Sequence, residues 1–96
     1  MRQDIKEAID RYVQHGIQPG DFLRAVLSND LKGSFARADE DNRRDLFAIV
    51  GYMYNHTPSA CQGSPDRVDA WIAVGGMDGV EAQRKAEAEQ GDEVTP

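Results

Sequence analysis

The stretch Tyr12-Val13-Gln14-His15-Gly16-Ile17-Gln18-Pro19-Gly20-Asp21-Phe22-Leu23 decides the fold. It closes one amphipathic segment, turns through a glycine and a Pro-Gly pair, and opens a second segment on a capping aspartate. Upstream, Ile5, Ala8, Ile9, Tyr12 and Val13 recur at helical spacing while Lys6, Glu7, Asp10, Arg11 and Gln14 take the other faces, which predicts a first helix from Arg2 to His15. Gly16 is placed as its C-terminal cap, and Asp21 can accept from the free amides of the next turn.

Downstream, Phe22, Leu23, Val26, Leu27 and Leu31 fill most of the circumference of a second helix, which Gly33 and Ser34 weaken or end. Asp39 in Ala38-Asp39-Glu40-Asp41-Asn42 caps a third helix running to about Asn55, and Pro58 forbids continuation past Thr57. Ser64-Pro65 is a cap followed by proline at the first helical position. It opens a fourth, short helix carrying Val68, Trp71 and Ile72 that stops at Gly75-Gly76. No run alternates apolar and polar residues between hairpin turns, so the expected class is all-α, with three to four helices. From Val80 onward no apolar face survives, and residues 77–96 read as an acidic, flexible tail on a helical domain of residues 1–76.

The chain has 96 residues, which suits one domain. Its net charge is −6, unevenly spread. Residues 1–76 hold nine Lys and Arg against eleven Asp and Glu, a net of −2, and residues 77–96 hold two against six, a net of −4. A nearly neutral body argues against a coat for duplex DNA, which would carry a basic stripe. It does not exclude a small anion held by a few arginines. Apolar runs such as Phe47 to Val50 are far shorter than the roughly 20 residues of a membrane span, and the N-terminus lacks the apolar core of a signal peptide, so a cytosolic protein is expected. The second and third helices are apolar around more than one face, whereas a domain this small buries only about 60% of its unfolded surface. Surplus apolar area goes to a partner, and the simplest partner is another copy, which predicts a homo-oligomer.

Signals for catalysis are thin. His15 and His56 each sit near a helix end, where the dipole favours a protonated ring. The single cysteine, Cys61, forbids an internal disulfide and leaves no CxxC pair, and no HExxH is present, so neither metal nor cofactor is expected. Cys61 with His56 lacks an orienting third group, and Asp39, Glu40, Asp41 and Asp45 are more readily a helix start than an acid-base pair. Binding groups are better represented. Tyr12 beside Arg11 could stack a base while a cation meets phosphate, or be a core tyrosine. Arg24, Ser28 and Lys32 share one face of the second helix, with Asn29 adjacent, as a solvated stripe or as donors to a nucleotide phosphate. Arg67 stands in the first turn of the fourth helix, where its charge opposes the dipole, a hint of an anionic ligand or acidic partner.

The opening stretch, continued by Ala25-Val26-Leu27-Ser28-Asn29-Asp30-Leu31 and Arg37-Ala38-Asp39, resembles a pattern in small phage-encoded helical proteins. So does Tyr52-Met53-Tyr54-Asn55 with Cys61-Gln62-Gly63-Ser64-Pro65 and Trp71. The resemblance, over roughly residues 12–71, is to the second type of anti-CBASS protein, a phage sponge for cyclic oligonucleotides. It implies a compact helical hexamer in the host cytoplasm. Such a hexamer binds cyclic dinucleotides between protomers and cyclic trinucleotides in separate pockets, without hydrolysing them. Tyr12 and Arg24 match in kind the groups such a site would use, and Lys32 competes with Arg24. A different reading keeps the phage setting but makes the chain an inhibitor of a host defence complex by protein contact, anti-CRISPR or anti-restriction, with the acidic tail mimicking nucleic acid. An assembly protein is the third.

Overall fold

A computed structural model describes residues 1–94, with side chains through Glu89. Among the described residues there are seven α-helices and no strands: α1 (Gln3–His15), α2 (Asp21–Leu27), α3 (Leu31–Arg37), α4 (Glu40–Arg44), α5 (Leu46–His56), α6 (Pro65–Val74) and α7 (Gly76–Val94), with a 3-10 turn at Ser59–Cys61 before α6. The all-α class stands, but the count of three to four helices is too low. Two of the expected helices are each divided.

The first division follows α2. Asn29 adopts the left-handed region at φ 63°, which asparagine tolerates better than most side chains. The amides of Asn29 and Asp30 donate to the Val26 and Ala25 carbonyls, closing α2 in a Schellman arrangement. Asp30 then turns round and caps α3, its Oδ1 accepting from the Gly33 amide at 2.9 Å. Gly33 and Ser34 therefore lie inside a new helix rather than ending the old one. A side chain at Gly33 would collide with the Asp30 carboxylate, and Ser34 is buried with its hydroxyl donating to the Asp30 carbonyl. The second division is at Asp45 (φ −92°, ψ 3°), between α4 and α5. Asp39 caps α4 as expected, accepting from the Asn42 amide at 2.8 Å.

Helix α1 buries Ile5, Ile9 and Tyr12, one stripe at i, i+4 and i+7. They join Phe22, Leu23 and Leu27 from α2, Ile49 and Met53 from α5, Cys61, and Val68 and Trp71 from α6. Among the described residues every buried side-chain polar atom is matched: the Tyr12 hydroxyl donates to the Cys61 carbonyl at 2.7 Å, and the Trp71 indole N–H lies 3.1 Å from the Tyr12 carbonyl and 3.2 Å from that of Val13. Burial pushes the Tyr12 hydroxyl and the Cys61 thiol up from their ordinary pKa values.

The segment read as a tail forms α7, and its first turns are docked. Gly16 and Gly76, both at positive φ, bring their backbones so close that a Cβ on either would strike the other's chain. Met77 and Val80 pack against the core, while Gln14 Nε2 and His15 Nδ1 each reach the Asp78 carboxylate at 2.6 Å. Residues 81–89 are exposed. The part of the expected tail at residues 95 and 96 lies outside the described residues. No described helix is long and apolar enough to cross a membrane.

Candidate functional site

Helices α2, α3 and α6 build a polar cleft of about 360 Å3. Arg24 reaches it from α2 and Ser28 from the cap that follows α2, one turn on; Arg37 reaches it from the last turn of α3, and Pro65 also lines it. Asp21 and Asp30 also line it, but Asp30 is committed to its helix cap. Arg24 Nη2 pairs with Asp69 Oδ1 of α6 at 2.7 Å. Arg37 donates to the Gly33 carbonyl at 3.3 Å and, among the described residues, has no carboxylate within ion-pairing distance. The cleft thus offers two guanidiniums and a hydroxyl, donors suited to a phosphate oxygen, beside the carboxylates of Asp21 and Asp30.

The six residues singled out from sequence do not converge on one site. Arg24 and Ser28 share the polar cleft. Tyr12 is 0% exposed, locked between Cys61 and Trp71, so neither face of its ring is open for a base to stack on. The charges of Arg24 and Asp69 nonetheless act on its hydroxyl. Asn29 lines a neighbouring apolar cleft, and its positive φ already gives it a task in the backbone. Lys32 stands on the exposed face of α3 beside Leu31, Phe35 and Ala36. Arg67 folds back over the turn before α6, Nη1 at 3.2 Å from the Gln62 carbonyl and 3.5 Å from that of Ser59. These carbonyls offset the charge that opposes the α6 dipole, and Arg67 lines its own hollow of about 490 Å3 with Tyr54, Thr57 and Gln62.

Sequence reasoning missed Arg37, which joins Arg24 only because Asn29 folds α3 back against α2. A break at Asn29-Asp30, recognised as cap plus restart, would have signalled it. It also left unplaced an apolar surface on α3 and α5. Leu31 (73% exposed) and Phe35 on α3, with Phe47 (92%), Val50 and Tyr54 (83%) on α5, form two apolar stripes at i, i+4 and i, i+3, i+7. Leu31, Val50 and Tyr54 meet across a cleft of about 340 Å3 floored by Val26, Leu46 and Met53.

The histidines are occupied otherwise: His15 with Asp78, and His56 with its ring 5.0 Å from that of Tyr52. Asp10 accepts from the Tyr52 hydroxyl and from Lys6, and these bonds hold its carboxyl below the usual range. No group of three or more potential metal ligands occurs among the described residues. The chain matches no protein-family model, no curated protein and no solved structure.

Proposed function

We propose that the chain is a non-catalytic binding protein that, as a homo-oligomer, sequesters cyclic di- and trinucleotide second messengers in an infected host's cytoplasm and so silences CBASS signalling. The observation that carries this reading is the gathering of Arg24, Ser28 and Arg37 around one open cleft, which Asp21 and Asp30 also line. Its volume of about 360 Å3 falls within the range for a small-molecule site, about 300 to 1,000 Å3, and because the cleft is open a neighbouring copy would complete its enclosure. Leu31, Phe35, Phe47, Val50 and Tyr54 supply the surface by which copies associate, with Asn29 and Lys32 at its seam; the resemblance implies six copies. The separate hollow at Arg67 is the place for a cyclic trinucleotide. Removal is stoichiometric, so slow release matters and turnover does not.

Thermal shift against a panel of cyclic di- and trinucleotides tests it. A ligand that binds only the folded state adds about 2.7 kcal/mol of stability at 100 times its Kd. Replacing Arg24 and Arg37 together with alanine abolishes the cyclic-dinucleotide shift, and no shift with any member of the panel for the wild type would sink the reading. Light scattering gives a multiple of the 10.6 kDa chain mass; a monomer would remove the oligomer. The bare rings of Phe47 and Tyr54 favour one rival, an inhibitor that grips a host protein through that face. That rival predicts a monomer with no shift. Truncation after Val80, which spares the docked turns of α7, separates it from mimicry by the acidic segment.

A further inference from the structure

We propose that Asp69 is a built-in competitor for the phosphate site: its carboxylate occupies Arg24 until a phosphate oxygen of the ligand replaces it. This rests on the reading of the Arg24–Ser28–Arg37 cleft given above. The two guanidiniums of the cleft are not equivalent. Arg37 touches only a carbonyl oxygen, at 3.3 Å, among the described residues. Arg24 is held from the neighbouring helix α6 by one carboxylate oxygen at 2.7 Å. That contact uses one nitrogen of a group with several N–H donors, and the two-pronged geometry that carboxylates and phosphates prefer is unfilled.

The pair is also half in water, with the Arg24 side chain 29% and the Asp69 side chain 64% exposed. Such pairs are weak enough to exchange. A tethered carboxylate nonetheless stands beside its arginine at all times, so a lone small anion gains little by displacing it. A ligand anchored elsewhere in the cleft, at Arg37 and Ser28, presents its phosphate to Arg24 as a tethered group too and wins the exchange. Asp69 thereby sets specificity: it keeps Arg24 from inorganic anions and lowers the affinity of the intended ligand.

The test compares wild type, Asp69→Asn and Asp69→Glu by NMR of the Arg24 side-chain Nε–Hε signal, titrated with inorganic phosphate and with cyclic di-AMP. The Asn variant keeps the shape and removes the charge. It gains an inorganic-phosphate response at Arg24 that the wild type lacks, and it binds cyclic di-AMP up to about five-fold tighter, the ratio equivalent to a surface ion pair of about 1 kcal/mol. The Glu variant restores wild-type behaviour, which a packing role for Asp69 would not produce. If Asp69→Asn responds to phosphate while no variant binds cyclic di-AMP, the competitor stands and the cyclic-nucleotide reading falls. If the Arg24 signal of Asp69→Asn behaves as in wild type toward both probes, the competitor role is overturned.

Discussion

Helices α1 and α5 are both rich in apolar residues, yet they use them in opposite ways. In α1 the apolar positions form a single stripe, and Ile5, Ile9 and Tyr12 all disappear into the core. In α5 they surround the helix, so that Ile49 and Met53 are buried while Phe47, Val50 and Tyr54 face out. The chain covers only one side of α5. The lesson is that hydrophobic content alone does not measure what a helix contributes to its own domain. The angular spread of the apolar residues decides how much stays exposed, and on α5 together with α3 it leaves Leu31, Val50 and Tyr54 around one apolar cleft, with Phe35 and Phe47 exposed as well.

The largest expected effect tests the sealed side. Trp71→Ala removes a ring that α6 packs against α1 and unpairs its bond to the Tyr12 carbonyl, and should cost about 3 to 5 kcal/mol in denaturant unfolding. A loss below about 1 kcal/mol would show that the α1–α6 side is not the core. Next comes Tyr12→Phe, which leaves the Cys61 carbonyl without its donor and should cost about 1 to 3 kcal/mol. Because the ring is enclosed, this variant should retain ligand affinity; a binding defect at unchanged stability would move Tyr12 from the core to the site.

On the open side the sign of the contrast reverses. Phe47→Ser should change the stability of the isolated protomer by no more than about 0.5 kcal/mol, as for other exposed positions, while lowering the mass seen by light scattering. Unchanged mass together with a large loss of stability would erase the difference between the two helices. The smallest effect concerns the clasp at the C-terminal end of α1. The Gln14 amide, then His15, hold the Asp78 carboxyl below its ordinary value of 3.8. A depressed folded-state pKa means that the carboxylate favours the docked state above its unfolded pKa, and that this contribution is lost as pH falls through the folded value. Amide protection factors in the first turn of α7, the observed exchange rates corrected for the intrinsic rate at each pH, should therefore fall on acidification below about pH 4 in the wild type. Asp78→Asn should remove that dependence, and an identical pH profile in both proteins would take the clasp out of α7 docking.

Much of the fold was legible because capping is local chemistry. Gly16, Asp39, Ser64-Pro65 and Gly75 mark boundaries from the residues at hand, and each lies at or next to the boundary formed. The division at Asn29-Asp30 left a local signal, since both residues favour caps over helix interiors, whereas at Asp45 that preference is too weak to decide a half-turn backbone without the surrounding packing. The docking of α7 was hidden for a related reason. Its apolar contribution is two residues, Met77 and Val80, too few to register as a face, and its closeness to α1 depends on two glycines 60 positions apart in sequence.

The candidate site was legible only as an inventory. Arg24 and Ser28 share a face through helical periodicity alone, so their pairing needed no tertiary information. The recruitment of Arg37, the removal of Tyr12 from the surface and the capture of Arg24 by Asp69 all depend on which helices meet. The sequence by itself determined the all-α class, most helix boundaries and a surplus of apolar surface, because propensity, capping and periodicity act within a few residues. The tertiary structure alone decided where that surplus lies and which charges face one another, because both are set by contacts between segments that the chain order keeps apart.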